Sequence, residues 1–161
     1  DAASSAIRLL DMGAEGYLVA SILRAVIAQR LVRRICKSCI QEYKPSDAEY
    51  MWLSSIPHFN FKKKTFYQGK GCPYCHNTGY RGQTGVFELL EISPPLAEMI
   101  RVKDTASFYR CVLTDPQFRP LVLNGLDLVE HGVTTLSELI RIMGEGMLDT
   151  SVQRGMIDAY V

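Results

Sequence analysis

The sequence predicts a mostly helical α+β fold with a small sheet pinned by a tetracysteine subdomain. Three observations carry this. Two Cys-x-x-Cys pairs, Cys36 with Cys39 and Cys72 with Cys75, sit in the first half of the chain, separated by a spacer of about thirty residues, a little longer than the usual zinc-site spacing. The last third shows apolar residues at helical spacing behind clear cap residues. Two short β-branched runs, one near Arg30 and one after Gly85, flank the cysteines.

Taken in order, 1–11 reads as a helix with Ala6, Ile7 and Leu10 on one face, and Gly13 follows as its C′ residue. Residues 17–29 read as a second helix, with Leu18, Ser21, Ile22, Ala25 and Ala28 at core spacing. Residues 30–35 form a strand leading into the first cysteine pair. Ser46-x-x-Glu49 is a capping box opening a short helix whose Trp52, Leu53 and Ile56 face the core. Residues 86–92 read as a buried strand. Ser93, with Pro94 and Pro95 in the first turn, opens a helix carrying Leu96, Met99 and Ile100. Helices follow over 105–113 and 120–131, the latter with Leu121, Val122, Leu128 and Val129 apolar. Thr135-x-x-Glu138 is a second capping box, ahead of Leu136, Leu139, Ile140 and Met143. Beyond Gly144 and Gly146 the pattern fades, and 147–161 reads as a tail helix or a disordered end.

Composition bounds the function. With 161 residues and 47% hydrophobic content, the chain can bury a core. A formal net charge of +1 points to no partner by overall charge. No apolar run is long enough to span a bilayer, since the longest, 17–28, is broken by Arg24. No signal peptide is read. Five cysteines, four in metal spacing, suit a reducing cytoplasm. The fifth, Cys111, lies at helical spacing with Phe108 and Val112 and reads as a buried thiol. The first residue is Asp1 rather than Met, which fits a fragment of a longer chain.

The cysteines carry the clearest chemistry. A Cys-x-x-Cys knuckle turns backbone N–H groups toward two thiolates, and two knuckles supply four sulfurs to a tetrahedral Zn²⁺. Pro73 pre-sets the second turn. Cys36, Cys39, Cys72 and Cys75 therefore read as a closed, structural zinc site, the alternative being redox pairs or disulfides. His76 adjoins Cys75 but has no place in a filled Cys₄ shell. No catalytic residue is assigned.

Two other clusters are ambiguous. Arg24, Arg30, Arg33, Arg34 and Lys37 form either a solvated face or a phosphate-facing patch. Phe59, Phe61 and Phe66 surround Lys62, Lys63 and Lys64, which suits nucleic acid or, more simply, a solvated loop tip with its aromatics turned inward. The glycines of 79–85 permit positive φ and close backbone approach but form no P-loop.

Several stretches resemble one family. DAASSAIRLLDMGAEGYLVASILRAVIAQRLVRRIC, the paired knuckles, GYRGQTGVFELLEI and GLDLVEHGVTTLSELIR are similar to the ATPases of type II secretion and type IV pilus extension. The resemblance covers 1–144. CPYCHNTGYRG also resembles the cysteine-rich repeats of DnaJ-type chaperones, but those need four such repeats and here there is one.

The family resemblance implies the C-terminal portion of a RecA-like P-loop ATPase domain in a hexameric bacterial motor. Such a motor is cytoplasmic, peripheral to the inner membrane, and couples ATP hydrolysis to pilin or pseudopilin assembly. Its implied partners are copies of itself and inner-membrane platform proteins, with no nucleic acid and no membrane insertion. The implied division is 1–35 for the end of the motor core, 36–75 for the zinc subdomain, 76–146 for a strand with C-terminal helices, and 147–161 for the tail. The implied cofactors are structural Zn²⁺ here and ATP with Mg²⁺ in the full-length protein only. No G-x-x-x-x-G-K-[ST] occurs in the chain, so this part should be inactive alone. The resemblance places Arg81, Gly82, Gln83 and Gly85 at the periphery of the nucleotide site. Gln83 stands where the family usually has arginine, and Arg81 is the substitute. The competing readings are a free-standing zinc-binding interaction module and a nucleic-acid-binding zinc ribbon.

Overall fold

The computed structural model describes residues 1–56, 59–61 and 64–147. Helix α1 (Ala2–Asp11) buries Ala2, Ala3, Ala6, Ile7 and Leu10, and the Asp1 carboxylate caps it by accepting from the Ser4 N–H at 2.6 Å. Helix α2 spans only Gly16–Ile22. The expected single helix over 17–29 is therefore corrected: strand β1 (Ala25–Ile35) occupies its second half. The cause is tertiary. Leu23 turns extended (φ −70°, ψ 121°), Arg24 already accepts from the Ile92 N–H at 2.8 Å, and β-branched Val26 and Ile27 enter the ladder. Of α2 only Gly16 and Val19 are buried, and Leu18 and Ile22 face solvent.

The partner of β1 is β4 (Tyr80–Glu91), antiparallel from Ala25 opposite Glu91 to Ile35 opposite Tyr80, with a register shift between Arg33 and Ile35. This strand starts well before Val86, so the glycine segment lies inside the ladder. A second ribbon, β2 (Ile40–Tyr43) with β3 (Phe66–Gly69), was not expected from the sequence. It carries the chain away from the first cysteine pair and back to the second. Between them lies α3 (Asp47–Ser54), whose capping box forms as read: the Ser46 hydroxyl accepts from the Glu49 N–H, and the Glu49 carboxylate accepts from the Ser46 N–H at 2.8 Å.

Four helices follow among the described residues: α4 (Pro94–Arg101), α5 (Thr105–Thr114), α6 (Leu121–Glu130) and α7 (Leu136–Met147). Helix α7 continues through Gly144 and Gly146, and the rest of the expected tail, 148–161, lies outside the described residues. Cys111 is half-buried on α5 rather than buried, while Phe108 and Val112 beside it are buried.

The apolar side chains form two main clusters. One joins α1, Val19, Leu90, Leu96, Ile100, Phe108, Val112 and Phe118. The other joins Leu53, Ile56, Phe66, Leu126, Val129, Leu136 and Leu139. Val32, Val86 and Leu121 form a smaller group of their own, built on both strands and the start of α6.

Strand β4 turns Val86, Glu88 and Leu90 inward. Glu88 is 3% exposed. Its two carboxylate oxygens accept from the Ala2 N–H and the Leu121 N–H, each at 2.7 Å. One buried carboxylate thus meets an unpaired donor at the start of both α1 and α6, where the helix dipole also favours negative charge.

Candidate metal centre

The two knuckles are local turns tied to each other by backbone. In the first, the Cys39 N–H donates to the Cys36 carbonyl. In the second, a single 3₁₀ turn over Pro73–Cys75 opens behind Pro73, and His76 and Asn77 take positive φ to reverse the chain. The Cys36 N–H donates to the Gly79 carbonyl at 2.9 Å, and the Lys70 N–H to the Cys39 carbonyl at 2.9 Å. Gly79 has φ +77°, and a Cβ on Gly69 would stand 2.0 Å from the Gly79 carbonyl oxygen. Two glycines therefore let the end of β3 lie against the second knuckle.

This geometry gathers four sulfurs. Those of Cys36, Cys39, Cys72 and Cys75 lie within 4.8 Å of one another. The Cys36–Cys72, Cys39–Cys75 and Cys72–Cys75 pairs stand 3.8, 3.9 and 3.7 Å apart. A tetrahedron with metal–sulfur bonds of ~2.3 Å places its sulfurs about 3.8 Å apart, so the donor set fits such an ion in both chemistry and spacing. Backbone N–H groups point at the sulfur of Cys75, from Cys72 at 3.2 Å and Gly79 at 3.3 Å. Desolvation pushes the Cys75 thiol up, but those two N–H groups and the neighbouring sulfurs outweigh it and hold the thiol down to about 6. Desolvation and the other three sulfurs push the Cys39 thiol up to about 12, against the Gly71 N–H. Without a cation, four thiolates cannot share this space; a metal ion relieves that repulsion as it displaces the protons. His76 is exposed and stands outside the four-sulfur group.

The other expected site residues form no such cluster. Arg81, Gly82 and Gln83 are exposed along the first half of β4, and Gly85 is half-buried opposite Leu31. Gly82 has φ +78° with open space where a Cβ would be. The basic cluster divides: Arg30 bonds the Gln29 carbonyl, whereas Arg33 is drawn into a polar network. Lys62 and Lys63 lie outside the described residues, Lys64 pairs with Glu130 at 2.6 Å, and Phe59 and Phe61 turn toward the second cluster.

The Arg33 network was missed in the sequence. Glu138 is 1% exposed on α7. It accepts from the Arg33 N–H at 2.9 Å, the Arg33 guanidinium at 2.8 Å, and Arg141 at 3.0 and 3.1 Å. The second capping box is therefore half a box: the Thr135 hydroxyl does accept from the Glu138 N–H, but the glutamate is taken up by Arg33 and Arg141. The Thr134 hydroxyl donates to the Arg33 carbonyl, and the Ile35 N–H donates to Val133. The Arg33 guanidinium stacks 4.0 Å from the Tyr80 ring centroid, and the Tyr80 hydroxyl meets Thr135 at 2.9 Å. The only signal in the sequence was a Thr-Thr-x-x-Glu cap and a basic strand 105 residues apart.

Comparison with known proteins supplies the context for these residues. A family model described as Type II/IV secretion system protein matches residues 1–141. The chain belongs to this family. Type II secretion system ATPase E of Vibrio cholerae is 40% identical over 143 residues, covering 86% of this chain and 27% of the relative. Protein transport protein HofB homolog of Escherichia coli is 35% identical, covering 86% and 28%. Type IV pilus assembly ATPase PilB of Thermus thermophilus is 32% identical, covering 87% and 16%. The chain thus spans 27% of the length of the first of these family members. The family is the one that the sequence motifs resemble. No helix among the described residues is long and apolar enough to cross a membrane.

Proposed function

We propose that this chain is the C-terminal portion of a cytoplasmic, homo-hexameric secretion or pilus-assembly ATPase of the RecA-like P-loop type, peripheral to the inner membrane. In it, 1–35 ends the motor core, 36–75 is a zinc subdomain, 76–146 is a strand with C-terminal helices, and 147–161 is a tail. The four cysteines hold one structural Zn²⁺, because a complete thiolate shell leaves no open position for catalysis. ATP and Mg²⁺ bind only in the full-length protein, where Arg81, Gly82, Gln83 and Gly85 flank the base or ribose. Hydrolysis there drives pilin or pseudopilin assembly on inner-membrane platform proteins.

The observation that carries this reading is the family match across 1–141 to relatives named as secretion and pilus-assembly ATPases. It accounts for residues far from the cysteines, which a free-standing zinc module or a nucleic-acid ribbon does not. Phosphoryl transfer needs a phosphate cradle, a Mg²⁺ site and a group that orients water. This chain has no P-loop sequence to provide the cradle. Phosphate release with Mg-ATP tests the assignment. The 161-residue chain should show none, and the full-length polypeptide should turn over, more slowly as Gly82→Trp. Turnover by the short chain, abolished by a substitution within it, would overturn the assignment. Unchanged turnover of Gly82→Trp would remove the glycine segment from the nucleotide site.

A further inference from the structure

The four-sulfur cluster and helix α7 are joined by an unbroken set of polar contacts. Gly79 touches both knuckles: its carbonyl accepts from the Cys36 N–H, and its N–H donates to the Cys75 sulfur. Tyr80 follows Gly79 directly. Its ring carries the Arg33 guanidinium and its hydroxyl meets Thr135. Arg33 lies at the register shift of β1, just ahead of Ile35 and Cys36. There the strand's outer groups bond to no further strand among the described residues: Thr134, Val133 and Glu138 take the Arg33 carbonyl, the Ile35 N–H and the Arg33 N–H. Two neighbours of the knuckles, one beside each, are thus held by the start of one helix.

We propose that Glu138 is a positioning residue for the metal centre, acting through Arg33 and Tyr80 to hold the Cys36–Gly79 crossing in its metal-bound geometry. The clasp formed by 133–138 makes release of the ion depend on α7, although Glu138 touches no sulfur. By linkage, the ion stabilises the start of α7 to the same degree. This rests on the zinc reading above. Outer-shell partners of metal ligands typically alter affinity by 10- to 100-fold. Glu138 acts further out still, through Arg33 and Tyr80, so an effect of about tenfold is expected, at the low end of that range.

The experiment measures zinc on the 161-residue chain by elemental analysis and its release rate to a chromophoric chelator. Glu138→Gln keeps the shape and removes the charge. Tyr80→Phe removes only the hydroxyl that meets Thr135, and it serves if the first variant does not fold. Leu96→Ala weakens the other apolar cluster and controls for general loss of stability. The wild type should hold one zinc per chain. Glu138→Gln should hold one and release it about tenfold faster, Tyr80→Phe should release it severalfold faster, and Leu96→Ala should match the wild type. Hydrogen exchange should show 133–140 losing protection on chelation while α1 keeps its own. Wild type without zinc overturns the metal reading and this proposal with it. Zinc-loaded wild type and clasp variants with equal release rates overturn the proposal alone. So does equal acceleration in Leu96→Ala.

Discussion

The two ends of the β1–β4 ribbon are built on different physics. At the Ala25–Glu91 end, α1, α4 and α5 press Ala6, Leu90, Leu96, Ile100 and Phe108 into an apolar cluster. At the Ile35–Tyr80 end, the ribbon runs into sulfurs, a buried glutamate, two threonines and a stacked arginine. The first end is stabilised by contact area, which many side chains share and each can lose in part. The second rests on a few directed interactions whose partners are left buried and unmet when one is removed. Damage should therefore be graded at one end and abrupt at the other.

The largest expected effect lies at the directed end. Cys36→Ser should drop bound zinc from one per chain to near none and expose 36–75 to hydrogen exchange while α1 and α4 stay protected, because structural zinc supplies folding free energy outright. Loss of protection at both ends together would erase the contrast. Next comes the apolar end. Phe108, fully buried, should cost about 3–5 kcal/mol as Phe108→Ala, read by denaturant unfolding, with zinc still bound.

A third test uses acid. Burial alone would raise the Glu138 pKa, but Arg141 and Arg33 outweigh it and hold the carboxyl down to about 2. The folded value lies below the unfolded one, so the stabilisation is present at neutral pH and is lost as pH falls from about 5 toward 2. Its size is about 3 kcal/mol. Glu138→Gln should lack this component. Unfolding midpoints of the two proteins across that range, both freed of metal by a chelator beforehand, give the difference without a contribution from the metal. Parallel pH profiles would show that the glutamate is not held in its charged form. The smallest effect belongs to Cys111→Ser, at a half-buried position on α5, which should keep its zinc and shift stability by less than about 1 kcal/mol. Loss of zinc there would break the assignment of the ligand set.

The same contrast explains what could be read from the sequence. The apolar end was legible because helical spacing records burial within one element, as at Leu96 and Ile100 or Phe108 and Val112. The cysteines were legible because knuckle chemistry requires its own short spacing. The failures have one cause, a partner distant in sequence. Residues 25–29 have helical spacing and became strand only because β4 was there to pair with them. The β2–β3 ribbon has four-residue strands, with Ile40, Gln41 and Glu42 all exposed, so no alternation marks it. Glu138 looked like the end of a capping box because Arg33, its actual partner, lies far away in the chain.

Glu88 has a consequence for the order in which the molecule assembles. Ala2 and Leu121 both donate to it, from sequence separations of 86 and 33 residues. Neither helix gains that anchor until β4 has been laid down and turned its carboxylate inward. Closing so distant a contact is entropically slow. Helix α1, made before the other helices described here, is thus among the last of them to be fastened.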